Sequence, residues 1–131
     1  MLCRGLIMRN IKFRVWNSDE NKFENLSDII ITIDELGVDI YRNNGSVLYD
    51  YELNQYTGLK DKNGKGVYEG DIIKYSHKAV GKINRVVNYK YGMFGIKGII
   101  EGMHIPFANI LDNEYEVIGN IYEDSELLKE V

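Results

Sequence analysis

The 131-residue sequence has one cysteine, Cys3, one proline, Pro106, one tryptophan and two histidines. A single thiol builds neither a disulfide framework nor a zinc site, which needs about four ligands. It suits a reducing compartment. No apolar run approaches the ~20 residues of a membrane helix, so no membrane partner is expected. The opening MLCRGLIM has one arginine but no sustained apolar stretch or small-residue cleavage site. No signal peptide is read there, and a cytoplasmic location is expected. His77 and His104 are far apart and in no metal-ligand spacing. No metal or cofactor is expected.

What is abundant is tyrosine, ten residues, and glycine, thirteen. Together they tilt the chain toward strands joined by tight turns. Arg9 to Trp16 alternates, with Ile11, Phe13 and Val15 on one side and Lys12, Arg14 and Trp16 on the other. Asp28 to Ile33 is β-branched. Val38 to Arg42 and Val47 to Tyr51 flank Asn43-Asn44-Gly45, a tight hairpin signal. Asp71 to Tyr75 and Gly81 to Tyr91 read as strands, the second with a bulge at Val86-Val87. Gly92 to Ile100 reads as a bent strand and Tyr115 to Ile121 as the last one. After it, Asp124 or Ser125 can cap a short helix, with Glu126 in its first turn.

Charge is unevenly spread within a net −4. Residues 60–97 carry nine basic and three acidic side chains, and residues 98–131 carry one basic and eight acidic. The basic segment is either a binding face or a segment neutralised by the acidic tail. Lysines and aromatics interleave there, as in the cationic stacking grooves of small barrels that bind single strands. The candidate face is Lys74, Tyr75, Lys82, Arg85, Tyr89, Lys90, Tyr91 and Phe94. Packing of the aromatics into a core is the alternative reading.

The stretch QYTGLKDKNGKGVYEGDIIKY, Gln55 to Tyr75, resembles an active loop. As a P-loop it fails, because five residues separate Gly58 from Gly64-Lys65 and Gly66 stands where a hydroxyl should hold magnesium. As a calcium loop it starts well with Asp61, Asn63 and Gly66. It then places Lys65 at the fifth position and Ile72 at the twelfth, where oxygen ligands belong. A hairpin has no failing position: Asn63-Gly64 suits a type I′ turn, and Gly70-Asp71 turns the chain into the next strand. Glu69 and Asp71 could share a face as an acid–base or metal pair, with turn hydrogen bonding as the alternative.

Three motifs, IKFRVWN, QYTGLKDKNGKGVYEGDIIKY and EVIGNIYEDSELL, resemble the YopX family over Met8 to Leu128. The resemblance implies a small β-rich protein of phages and prophages, acting in the bacterial host cell, with no established activity. It departs from the family pattern at Asn17, where Asp is common, Gly66, where Glu is common, and Ser125, where Pro is common. Residues 1–7 read as an N-terminal extension, 8–53 as an N-terminal β region, and 54–131 as a barrel-like region with a C-terminal helix. The expected fold is mainly β, with a small SH3-like or related barrel from about Tyr56 to Tyr122. The expected role is a non-enzymatic phage accessory module that binds nucleic acid or a phage or host protein. The alternatives are a homo-oligomer with Ile29-Ile30-Ile31 or Gly92 to Ile100 at a subunit edge, and a small nuclease using Glu69 and Asp71.

Overall fold

The computed structural model describes residues 10–110 and 114–129. The expected extension, residues 1–7 with Cys3, lies outside them. Contacts divide the described residues into two compact units, one of residues 13–54 and one of the described residues from 55 onward together with 10–12.

In the 13–54 unit, β1 (Phe13–Asn17) pairs with β2 (Lys22–Phe23), Trp16 opposite Phe23. A second sheet has the order β3-β4-β5, formed by Ile29–Asp34, Gly37–Arg42 and Val47–Leu48. Val15, Ile29, Ile40 and Leu48 form the core of this unit. The alternation read over Arg9 to Trp16 is only partly realised. Ile11 is exposed and precedes the strand, whereas Trp16 is buried, its ring meeting Phe23 edge-on at 5.0 Å. Arg14 lies 4.8 Å over the same Phe23 ring. Aromatic packing therefore covers the face that the pattern left to solvent.

The strand β6 (Tyr51–Lys60) ends in the second unit, where β7 (Gly66–Tyr68) folds back on it. An antiparallel sheet of order β11-β10-β9-β8-β12 follows. Its strands are β8 (Asp71–His77), β9 (Gly81–Lys90), β10 (Met93–Lys97), β11 (His104–Pro106) and β12 (Tyr115–Asn120). The first four form a meander. A 3-10 turn at Phe107–Asn109 then precedes β12, which returns to pair with β8. Ile73, Tyr75, Val87, Ile96, Phe107 and Tyr115 pack into one core with Val67 and Ile110.

Several expectations are corrected by this sheet. The β8–β9 register is constant from Ile72–Val86 to His77–Gly81, so Val86-Val87 is no bulge. Val86 and Val87 look alike in sequence because both faces of β9 are partly covered. A register shift occurs in β12 instead, between Val117 and Gly119. Within Gly92 to Ile100 only Met93–Lys97 is a strand, and it is not a sheet edge, because β10 lies between β9 and β11. The C-terminal helix is only a 3-10 turn, Ser125–Leu128, with no side-chain cap. Asp124 is occupied elsewhere, its Oδ2 accepting the Asn120 backbone N–H at 3.1 Å.

Candidate nucleic-acid interface

The loop at Gln55 to Tyr75 is a structural hairpin. Asp61 is buried, and its carboxylate accepts three backbone N–H groups. Asn63 and Lys65 each donate to Oδ1 at 2.9 Å, and Val117 donates to Oδ2 at 2.8 Å. Burial pushes this carboxyl upward. The bonds from Val117, Lys65 and Asn63 outweigh it and hold the pKa below the ordinary carboxylate value. The oxygens that a calcium ion would need are thus committed to the chain itself.

The turn is not type I′. Asn63 has no positive φ; Gly64 alone does, at +82°, and its N–H bonds Asp61 O at 2.9 Å. That is the geometry of a type I turn closed by a left-handed glycine. The Arg42–Gly45 turn repeats it, with Gly45 N bonding Arg42 O at 2.9 Å. Glu69 and Asp71 also serve the backbone. Glu69 Oε1 accepts from Gln55 N at 2.9 Å, and Asp71 Oδ2 accepts from Tyr68 N at 2.8 Å. Among the described residues no group of three His, Cys, Asp or Glu side chains could hold a metal ion.

The basic strands behave differently. Directly paired residues of an antiparallel sheet share a face, and alternate residues switch faces. Lys74 pairs with Asn84, Ser76 with Lys82, Met93 with Lys90, and Lys97 with His104. Through these registers Lys74, Lys82, Lys90 and Lys97 emerge on one face. Tyr75 pairs with Ile83, Phe94 with Tyr89 and Ile96 with Val87, which puts the aromatics on the opposite, core-side face. Interleaving along a strand thus separates bases from rings. Tyr75 is buried in the core, and burial followed by the Glu114 charge pushes its phenol pKa up. Phe94 packs against the core, and its ring meets that of half-exposed Tyr89 at 4.9 Å.

Tyr91 is the exception. It sits in the β9–β10 turn with a φ of +54° and is exposed. Lys90 Nζ lies 5.1 Å over its ring, and its edge meets the His104 ring at 6.1 Å. Arg85, one residue out of phase with the lysines, lies along the backbone. Its Nε donates to Lys97 O at 3.1 Å and its Nη1 to Asn84 O at 3.0 Å.

Three adjoining cavities run along the lysine face. One of about 500 Å³ is lined by Lys74, Lys82, Arg85, Leu127 and Lys129. A second, of about 390 Å³, shares Asn84, Arg85 and Leu128 with it and adds Asn88 and Lys97. A third, of about 190 Å³, shares Asn88 and Lys97 with the second and reaches Lys90, Met103 and His104. The shared residues set them end to end as a grooved face along β9, whose span from Lys82 to Lys90 is about 26 Å at ~3.3 Å per residue. The C-terminal turn forms part of its wall, held where Asn84 Nδ2 donates to Leu127 O at 2.9 Å.

Among the described residues the acidic tail reaches this face at Glu101, which lines the third cavity, and at Glu116. Lys97 pairs with Glu101 at 3.3 Å, an exposed contact worth little by itself. Lys74, Lys82 and Lys90 have no ion pair among the described residues. Glu116 stands opposite Lys74 in the β12–β8 register, but its Oε2 accepts from Asn63 Nδ2 at 3.3 Å.

At the far end, Asn88 Oδ1 and both ring nitrogens of His104 are shielded from solvent without a hydrogen-bond partner among the described residues. Each such group costs about 1–3 kcal/mol. Gly95 makes room for the ring. A Cβ there would run into Ile105 O and lie 2.7 Å from His104 Nε2. Sequence reasoning missed Asn84, Asn88, Lys97, His104 and Lys129 as groove residues. The Lys82–Lys90 alternation could have extended to Lys97 had the β9–β10 turn been placed, whereas His104 carries no local signal.

A mainly β protein with a cationic groove on one sheet face is the class these features define. Residues 12–129 match the family model described as YopX protein, and the chain belongs to that family. Two solved structures are similar over 93% of this chain and 100% of their own. The crystal structure of protein EF1440 from Enterococcus faecalis is 27% identical with a TM-score of 0.61, and that of protein YopX from Bacillus subtilis is 19% identical with a TM-score of 0.65. No curated protein matches. Among the described residues no helix is long and apolar enough to cross a membrane.

Proposed function

We propose that this chain is a non-enzymatic binding module whose β9 groove holds single-stranded nucleic acid in the bacterial cytoplasm, as part of the phage or prophage equipment the resemblance implies. One observation carries the reading. The register of β8, β9 and β10 gathers Lys74, Lys82, Lys90 and Lys97 on one grooved face, and three of the four have no ion pair among the described residues. Amides on the groove floor and exposed Tyr91 beside His104 favour unstacked bases over a duplex or an acidic peptide. Residues 54–131 are taken as the binding region, beside the N-terminal β region of residues 8–53. The meander, the 3-10 turn and the return of β12 to β8 support reading residues 56–122 as an SH3-like barrel, an analogy of fold with no weight for function.

Fluorescence anisotropy at ~50 mM salt should show binding to labelled single-stranded DNA or RNA, weaker for a duplex and for polyglutamate. No binding to single strands under those conditions overturns the reading. A second reading, self-association, has its own observation: β3 is the edge of its sheet and leaves Ile30 and Ile33 more than half exposed. Light scattering at high concentration tests it, and a monomeric mass removes it.

A further inference from the structure

We infer that Tyr91 is a base-stacking residue at the β9–β10 end of the lysine face, kept there against the preference of its own turn. The inference rests on the groove reading and adds to it the contact that holds a base. Lys90 pairs with Met93, so Tyr91 and Gly92 alone make the β9–β10 turn, with φ of +54° and +77°. Two successive positive φ angles define a type I′ turn, which favours Asn, Asp or Gly at its first position. Elsewhere among the described residues positive φ falls on glycines and on Asn21, a residue type that tolerates it. Tyr91 is the one bulky side chain among them in this conformation, where its Cβ crowds the following carbonyl.

No core contact offsets that strain. The Tyr91 ring joins neither core cluster and is 68% exposed. It meets Lys90 Nζ, 5.1 Å from the ring centre, and the His104 ring, 6.1 Å away at 79°. A cation over a ring at so exposed a site adds little. Lys90 and His104 also line the third cavity, so the ring stands beside the end of the grooved face. Backbone strain of this kind persists where function requires a particular side chain. A ring held out in water beside lysines matches the stacking platforms that hold unpaired bases, with Lys90 placed for an adjoining phosphate. Stacking needs only a π face, so the contact accepts every base.

The test uses the full chain, a labelled single strand of about eight nucleotides, and the same strand with abasic sites throughout, which keeps the phosphates and removes the bases. Wild type should bind the intact strand about tenfold tighter than the abasic one at ~50 mM salt. Tyr91→Asn, which suits the turn, should raise the melting temperature by about 3 °C and bind both strands alike. Tyr91→Phe should retain the preference for bases. Equal wild-type binding of the two strands overturns the inference and leaves the groove standing. So does a preference that Tyr91→Asn retains or that Tyr91→Phe loses. A melting temperature that Tyr91→Asn leaves unchanged or lowers also overturns it, because the ring then serves the turn. Absence of wild-type binding to either strand removes both readings.

Discussion

Replacing Asp61 by asparagine is the sharpest probe of the hairpin. Asn keeps one carbonyl oxygen for the Asn63 and Lys65 N–H groups but turns an amine toward Val117 N, which now bonds Oδ2 at 2.8 Å. A buried acceptor becomes a donor facing a donor. Losing one charge-assisted bond and weakening two others gives a cost of about 2–3 kcal/mol at neutral pH. The folded carboxyl is held below its ordinary value by these bonds, so its stabilisation is present above the unfolded pKa of ~3.9 and is lost as pH falls through the lower folded one. Urea denaturation at pH 7 should therefore separate wild type from Asp61→Asn by that amount, with the gap narrowing below about pH 4. A difference under ~0.5 kcal/mol at pH 7, or one independent of pH, refutes the reasoning.

Other outcomes follow from single contacts. Gly95→Ala should lower stability by about 1–3 kcal/mol, read by thermal melting, because its methyl must displace Ile105 O and the His104 ring. Asn17→Asp should keep the two bonds from Asp19 N and Glu20 N but set a third carboxylate against Glu20 and Glu24, which Asn17 Nδ2 now bridges at 3.4 and 3.3 Å. A loss of about 1 kcal/mol at pH 7 that shrinks on acidification is expected in urea titrations. Ile73→Ala removes a fully buried core side chain and should cost about 2–5 kcal/mol by the same method.

The strands were legible where alternation and turn residues agreed, as at Val38 to Arg42 and Asp71 to Tyr75. Turn type was not, because Asn-Gly serves two hairpin classes and the hydrogen bonds of Asp61 and Arg42 decide between them. The terminal helix was overread: four residues with a capping pattern sufficed in sequence, but Asp124 bonds back to Asn120 and only a 3-10 turn forms. The basic face was half legible. Its lysines could be named from local composition, while the separation of Lys74 from Tyr75 follows from strand pleat. The meeting of Lys97, Asn88 and His104 depends on pairings across β9, β10 and β11. Such pairings join residues distant in sequence and leave no local trace.

The most direct test of the groove is the salt dependence of single-strand binding by wild type and by a Lys74→Ala/Lys82→Ala/Lys90→Ala variant. Three to four phosphate contacts give a wild-type slope of log K against log salt of about −2 to −3, which the variant should reduce toward zero. A wild-type protein that binds no single strand at ~50 mM salt, or a variant with an unchanged slope, contradicts the account.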